Sequence, residues 1–147
     1  MKILAITQNP PAPGSRADRR LRRLFGDDLC DRMTWANTAP EVHGHTPPWF
    51  PADARYMLAT IRRARPDIVL VFGPKAECGL FAVMQAIARS GEPLRFHFIG
   101  GPHPESPRPL TAHHLRDMAR RLAALLAGEP AEGPTGRGEW IAAEVGA

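Results

Sequence analysis

The sequence predicts an α/β protein with a mainly parallel sheet. Four short apolar runs are predicted strands, at residues 3–7, 33–36, 67–72 and 94–99. The third run is apolar from Ile68 to Phe72, which is typical of a parallel strand buried on both faces. Segments with helical spacing separate the runs, and this alternation predicts a sheet covered by helices on both sides.

The helical segments are recognised by apolar residues three and four positions apart. These residues are Leu21, Leu24 and Phe25; Met57, Leu58 and Ile61; Leu80, Val83, Met84 and Ile87; and Leu115, Met118, Leu122 and Leu125. Such spacing places each group on one helix face. Thr111 precedes the last group and is its predicted N-cap.

The length of 147 residues suits one domain with one core. We therefore expect a single three-layer α/β/α domain at residues 1–128, with a four-stranded, mainly parallel sheet. Residues 129–138 contain Gly, Pro, Glu and Thr, so residues 129–147 are predicted to form a flexible C-terminal tail. Trp140 and Ile141 in this tail either dock on the domain or stay loose.

The charge balance favours an anionic partner. Lys plus Arg total 19 against 15 for Asp plus Glu, which gives a net charge of +4. Nucleic acid is the first candidate partner of a basic protein. Lys2 and Lys75 are the only lysines, and this arginine bias is explained equally well by a GC-rich coding sequence.

The sequence also predicts the cellular compartment of the protein. No apolar run approaches the roughly 18 residues of a membrane span. The apolar start of the chain is too short for a signal-peptide core, so we expect a cytoplasmic protein. Cys30 and Cys78 are too few for an iron–sulfur cluster and lack C-x-x-C spacing, and no disulfide or cofactor is expected.

The predicted topology gathers four loops at one edge of the sheet. Right-handed crossovers place the carboxyl ends of parallel strands together, and ligands bind outside those ends. The loops are residues 8–15, 37–51, 73–78 and 100–109. All of them are rich in Pro, Gly or polar residues, so this edge is the predicted site.

Short motifs stand at each strand end. Thr7-Gln8-Asn9-Pro10 follows the first strand and Asn37 ends the second. Gly73-Pro74-Lys75-Ala76 follows the third, and Gly101-Pro102-His103-Pro104 ends the fourth. In this order the motifs resemble those of the uracil-DNA glycosylase superfamily, and the resemblance covers about residues 2–126.

The resemblance implies a monofunctional DNA glycosylase of base excision repair. Such an enzyme flips a base out of the DNA and hydrolyses its N-glycosidic bond, here at uracil or a related deaminated or modified base. Asn37 is expected to read uracil N3–H and O4 through its acceptor and its donors. His103 is expected to stabilise the leaving base, and Asn9 to position the attacking water.

The remaining site residues follow from the same resemblance. Gln8 and Phe25 would complete the base pocket, although the helical spacing of Phe25 suits core packing equally well. The expected DNA contacts are Ser15, Arg16, Lys75, Ser106, Arg108 and Leu110. Arg108 and Leu110 would fill the hole that the base leaves. The arginines at positions 16, 19, 20, 22 and 23 either hold phosphates or form a solvated helix face.

Three positions depart from the family pattern, and they keep other functions open. Thr7 stands where a glycine is usual, Pro11 where an aromatic residue or glycine is usual, and Glu105 where a serine is usual. A DNA-binding protein that has lost catalysis is one alternative, and a nucleoside or nucleotide hydrolase is another. We expect a monomer that binds single- or double-stranded DNA, with no membrane partner. We expect no metal, although His43 and His45 stand close together.

Overall fold

The computed structural model of the protein describes residues 1–40 and 53–129, and the backbone of residues 140–141. Its helices are α1 Arg16–Phe25, α2 Asp27–Arg32, α3 Ala54–Ala64, α4 Pro74–Ser90 and α5 Thr111–Leu126. Its strands are β1 Ile3–Thr7, β2 Met33–Asn37, β3 Ile68–Phe72, β4 His97–Gly101 and β5 Trp140–Ile141.

The strands form one sheet in the order β2-β1-β3-β4-β5. The first four strands in this order are parallel, and β5 pairs antiparallel with β4. The predicted α/β class with a four-stranded parallel sheet is confirmed, and β5 is an addition at its edge. As predicted, β3 lies inside the sheet with all five residues buried.

The register sets the carboxyl ends of the four parallel strands level with one another. Thr7 pairs with Asn37 on one side and with Phe72 on the other, and Phe72 pairs with Gly101. The strand order reverses direction between β1 and β3, which is where ligands bind in open α/β sheets. The four last strand residues therefore stand in one row beneath the predicted site.

Two apolar clusters cover the two faces of the sheet. On one face, side chains of α1 and α5 such as Leu21 and Leu115 pack against alternate strand residues such as Leu70. On the other face, side chains of α3 and α4 such as Ile61 and Leu80 pack against the remaining strand residues. This arrangement is the three-layer α/β/α domain that the hydrophobic spacing predicts.

Three local predictions differ from the structure. Helix α2 was not predicted, and β4 begins three residues later than the predicted run at 94–99 and includes Gly101. The predicted N-cap, Thr111, lies inside α5, while Leu110 occupies the N-cap position without a side-chain hydrogen bond. The amide of Thr111 instead donates to the carbonyl of Arg108 at 3.1 Å, which starts the helix.

Two predictions fall largely outside the described residues. The predicted tail at residues 129–147 is described only at Glu129, which closes the end of α5, and at the backbone of β5. There Ile141 pairs with His97 and Trp140 with Phe98, so this segment docks on the edge of the sheet. The pair of histidines at 43 and 45 lies outside the described residues.

Within the described residues, no helix is long and apolar enough to cross a membrane. Both cysteine thiols are free: Cys30 is the buried residue of α2, and Cys78 is exposed on α4. Burial raises the pKa of the Cys30 thiol to about 11, so this thiol stays protonated in ordinary conditions.

Gly101 is the position where β4 touches α5, and we predict that it tolerates no side chain. A Cβ at Gly101 would overlap Met118 Sδ, and Met118 is only 2% exposed, so the methionine must be displaced within the core. Gly101→Ala should lower the free energy of unfolding by about 1–3 kcal/mol, measured by urea denaturation.

Gly100→Ala is the matched control for this prediction. A Cβ at Gly100 meets its nearest neighbour, Glu77 Oε2, at 3.5 Å, which is an ordinary contact. This variant should lose less than about 1 kcal/mol. Equal stability of the two variants would show that α5 does not pack on β4 as described.

Candidate functional site

Asn9 and Asn37 link the loop that follows β1 to the end of β2. The Asn9 amide donates to Asn37 Oδ1 at 3.2 Å, and Asn37 Nδ2 donates to Asn9 Oδ1 at 3.4 Å. Asn9 adopts a φ of 53°, a left-handed conformation that asparagine tolerates better than most residues. This backbone turn is what allows the amide of Asn9 to point at β2.

The carbonyl oxygen of Asn37 is occupied by the backbone. It also accepts the Thr38 amide at 2.8 Å, so two backbone N–H groups share its two lone pairs. These donors fix the orientation of the side-chain amide and turn its Nδ2 donors away from them. In this structure the Nδ2 donors of Asn37 are more available than its oxygen, and the expected reading of both uracil N3–H and O4 stays a prediction.

His103 follows β4 and its ring is held at both nitrogens. The Glu105 amide donates to Nδ1 at 3.1 Å, and Nε2 lies 3.3 Å from the backbone carbonyl oxygen of Gln8. Because Nδ1 accepts, the proton of the neutral ring is on Nε2, which donates to Gln8. The bond to Gln8 is long, so this N–H group is only weakly engaged.

Gly73 allows the loop after β3 to approach His103. Its φ of 95° is strained for any residue with a side chain, and a Cβ there would lie 3.4 Å from His103 Cβ. Its amide donates to the Gly101 carbonyl at 2.8 Å, which extends the pairing of β3 with β4 beyond the strand end. The result is close packing of the third and fourth loops.

The structure thus brings together residues from distant parts of the sequence. Gln8, Asn9, Asn37 and His103 lie at the carboxyl edge of the sheet, and Asn9 adjoins Gln8, which contacts His103. All four side chains are half-buried. The convergence of the loop after β1, the end of β2 and the loop after β4 follows from the level strand ends.

A cavity of about 530 Å³ lies beside His103, between the end of β4 and the first turns of α4 and α5. It is lined by Pro74, Pro102, His103, Ser106, Arg108, Pro109, Leu110, Thr111 and His114. Its size is within the usual range for a small-ligand site. Of the three residues expected to line one pocket, His103 lines this cavity, whereas Asn9 and Asn37 lie outside it.

The separation of Asn37 from the cavity has a geometric reason. Asn37 ends β2, and β2 stands three places from β4 in the sheet. Neighbouring strands are 4.7–4.9 Å apart, so the two strand ends are separated by roughly 14 Å. A ligand that contacts both Asn37 and the cavity must extend along the row of strand ends.

The cavity has a positive character. Its lining includes Arg108, and the lining residues in the described part of the chain include no acid. Helix α5 begins here with no acid in its first turn and no side-chain cap at Leu110. The positive end of the helix dipole therefore adds to the charge of Arg108.

The six predicted DNA contacts fall into two groups. Ser106, Arg108 and Leu110 line the cavity; Leu110 is 62% exposed, and the Ser106 hydroxyl accepts the Arg108 amide at 3.4 Å. The other three lie at the starts of two helices, away from the cavity lining. Ser15 caps α1 by accepting the Asp18 amide, and Arg16, the next residue, is exposed. Lys75 is half-buried in the first turn of α4. Desolvation lowers the pKa of Lys75.

Phe25, the predicted stacking residue, lies in the core. It is 6% exposed, and its ring packs against Phe72 with the ring centres 6.2 Å apart. Leu21 on the same helix face is buried in the same cluster. Of the two interpretations that its spacing allows, core packing is the one that the structure shows.

The arginines of α1 differ in their surroundings. Arg22 forms ion pairs with Asp18, Asp27 and Asp31 at 3.0–3.2 Å, and these raise its pKa. Arg20 donates to two carbonyls of the His103 loop. Arg20 and Arg22 are thus engaged by other groups of the protein, whereas Arg16 and Arg23 are exposed.

Two of the three positions that depart from the family pattern, Thr7 and Glu105, take part in contacts that shape the site. The hydroxyl of Thr7 is buried and donates to the Phe72 carbonyl at 2.9 Å, so it joins β1 to β3 at the site. Glu105 is exposed, and its backbone amide is the donor to His103. Sequence reasoning missed this amide and the contact of Arg20 with the His103 loop, because no motif marks either of them.

We predict that Asn37→Ala destabilises the protein. The substitution leaves the amides of Asn9 and Thr38 without their acceptor, and Thr38 is 4% exposed. The expected loss is about 1–3 kcal/mol in the free energy of unfolding. Asn37→Asp keeps an oxygen for both amides and should retain most of the stability. An alanine variant as stable as the wild type would contradict the bridge between the loops.

No protein-family profile matches the chain, and no curated protein matches it significantly. Within the described residues, no group of three or more His, Cys, Asp or Glu side chains could hold a metal ion. The functional assignment therefore depends on the site itself.

Proposed function

We propose that this protein is a DNA base glycosylase that hydrolyses the N-glycosidic bond of uracil or a related deaminated base. The observation that carries the proposal is the way the His103 ring is held at the edge of the sheet: the Glu105 amide donates to Nδ1, which leaves the proton of the neutral ring on Nε2, 3.3 Å from the Gln8 carbonyl oxygen. A neutral N–H donor held at this edge suits a leaving base that departs as an anion.

The proposed reaction breaks the C1′–N bond, and both electrons leave with the base. An oxygen of the base takes over the Nε2–H of His103 from the Gln8 carbonyl as negative charge develops on it. Water forms the new C1′–O bond and loses its proton to solvent or to the released base. Because the 3.3 Å contact with Gln8 is long and therefore weak, little free energy is lost when the N–H group changes its acceptor.

Asn37 would select the base through its donors. Its oxygen is occupied by two backbone amides, so its Nδ2 group would donate to the oxygen that deamination creates on a base. Cytosine presents an amino group at that position, and two donors facing each other repel. This reading favours oxo bases over the amino bases from which they arise.

Asn9 would hold the attacking water next to Asn37. Its side-chain oxygen accepts from Asn37 at 3.4 Å, which fixes the side chain beside the proposed base site. An amide orients water but removes its proton poorly, so most of the rate must come from stabilising the leaving base. We therefore expect slow turnover on uracil.

The cavity supports DNA as the partner. Arg108 and the start of α5 give it a positive wall, and its prolines and Leu110 give an apolar wall against which a sugar or base can pack. We propose that the strand next to the extruded base runs across it. We further propose a cytoplasmic monomer, and the free thiols of Cys30 and Cys78 suit a reducing compartment.

One observation favours a second candidate, a DNA-binding protein without catalysis. The residue expected to activate water is an amide, and it is hydrogen-bonded to Asn37. A protein of this kind would bind an oligonucleotide that contains uracil and release no base. A nucleoside hydrolase, by contrast, would act on the monomer.

The first prediction on function concerns base release. Oligonucleotides carrying uracil, hypoxanthine, xanthine or no lesion are incubated with the protein, and the free base and the abasic site are both quantified. We expect release from deaminated bases and none from free nucleosides. His103→Ala should slow release by about 10²- to 10³-fold. His113→Ala, on the exposed face of α5, should match the wild type.

Two outcomes would rule out a DNA base glycosylase. Oligonucleotide binding with no release of any base leaves the binding protein as the function. Release from nucleosides at a rate equal to or above that from oligonucleotides makes the chain a nucleoside hydrolase.

The second prediction on function concerns salt. If phosphate groups lie against the cavity, oligonucleotide affinity falls with rising salt, and Arg108→Ala lowers the slope of log affinity against log salt by about one. Arg95→Ala is the control, because Arg95 is exposed just before β4, at the opposite edge of the sheet. Equal slopes for the two variants would exclude Arg108 from the interface.

A further inference from the structure

Arg20 joins helix α1 to the loop that carries His103. Its Nη1 donates to the Pro104 carbonyl at 3.0 Å and to the Ser106 carbonyl at 3.1 Å. Arg20 is half-buried, and Pro104 is buried. The guanidinium therefore lies against the backbone of this loop.

The contact to Pro104 reaches His103 through one peptide group. The Pro104 carbonyl and the Glu105 amide belong to the same planar unit, with the oxygen and the hydrogen on opposite sides. Arg20 holds the oxygen, and the Glu105 amide donates to His103 Nδ1 at 3.1 Å. The plane of the Pro104–Glu105 peptide group is thus fixed at its oxygen and at its N–H group.

Charge strengthens this connection. A hydrogen bond from a guanidinium to the carbonyl polarises the peptide group and makes its N–H a stronger donor. Residues 103–106 form a turn, in which the Ser106 amide donates to the His103 carbonyl at 3.0 Å. Arg20 also donates to the Ser106 carbonyl. The direction of the Glu105 amide is therefore set by Arg20 and by the turn together.

We infer that Arg20 is a positioning residue that fixes His103 as the Nε2–H tautomer through the Pro104–Glu105 peptide. This role replaces the phosphate contact expected for Arg20 from the sequence. The tautomer does not depend on the proposed function. Its consequence for base release does, because that step needs the proton on Nε2.

The test is the tautomer of His103, measured by ¹⁵N NMR of the imidazole in the full chain at a pH where the ring is neutral. His103→Gln identifies the signals. In the wild type we expect an Nδ1 without a proton and an Nε2 with one. Arg20→Met should populate the other tautomer to about a tenth or more. Arg20→Lys, which keeps a cationic donor, should restore most of the wild-type ratio.

Arg23→Met is the matched control, because Arg23 is exposed on the same helix. It should leave the tautomer unchanged. A folded Arg20→Met variant that keeps a pure Nε2–H ring overturns the inference. A wild-type His103 that carries its proton on Nδ1 overturns it as well, without any variant, so the test holds even if Arg20→Met does not fold.

A kinetic measurement separates this inference from the proposed function. If the protein releases bases, Arg20→Met should lower kcat by about 10- to 100-fold with little change in KM, since partners behind a functional histidine usually matter by this factor. A changed tautomer with no base release from any substrate would leave the role of Arg20 standing and reject the glycosylase.

Discussion

The parallel pairing of β1 with β3 is the contact on which the site depends. Both strands are buried at all five positions, and their last residues, Thr7 and Phe72, are level in the sheet. The Thr7 hydroxyl closes this pair by donating to the Phe72 carbonyl. Because β2 and β4 pair outward in the same register, the loops that follow β1, β2 and β4 begin from one row.

Backbone N–H groups orient the side chains of Asn37 and His103 above this row. Amides of Asn9 and Thr38 orient the Asn37 side chain, and the Glu105 amide sets the ring of His103. Such bonds specify orientation firmly, since each main-chain donor is itself held by the turn around it. They also use up acceptors, so the site presents N–H donors to a ligand. A site of donors suits oxygen atoms that gain negative charge.

The sequence predicts much of this architecture and less of the site. Buried runs such as Ile68 to Phe72 predict their strands because both faces are apolar. The predicted run at 94–99 ends too early for β4, because Gly101 belongs to this strand and carries no hydrophobic signal. Asn37 and His103 stand out at predicted strand ends. The occupation of Asn37 Oδ1 and the contact of Arg20 with the loop after β4 are not predictable, because they depend on side-chain directions across 28 to 86 residues of chain.

We propose that His103 and Asn37 contact the same extruded base. The most direct measurement is side-chain NMR during titration with an oligonucleotide that carries 2′-fluoro-2′-deoxyuridine, whose electronegative 2′ substituent disfavours the oxocarbenium-like transition state. We expect the Nε2–H signal of His103 and the Nδ2 signals of Asn37 to shift together, and to shift far less with the matching cytosine oligonucleotide. Shifts confined to the cavity around Arg108, with both side chains unaffected at saturation, would contradict the claim.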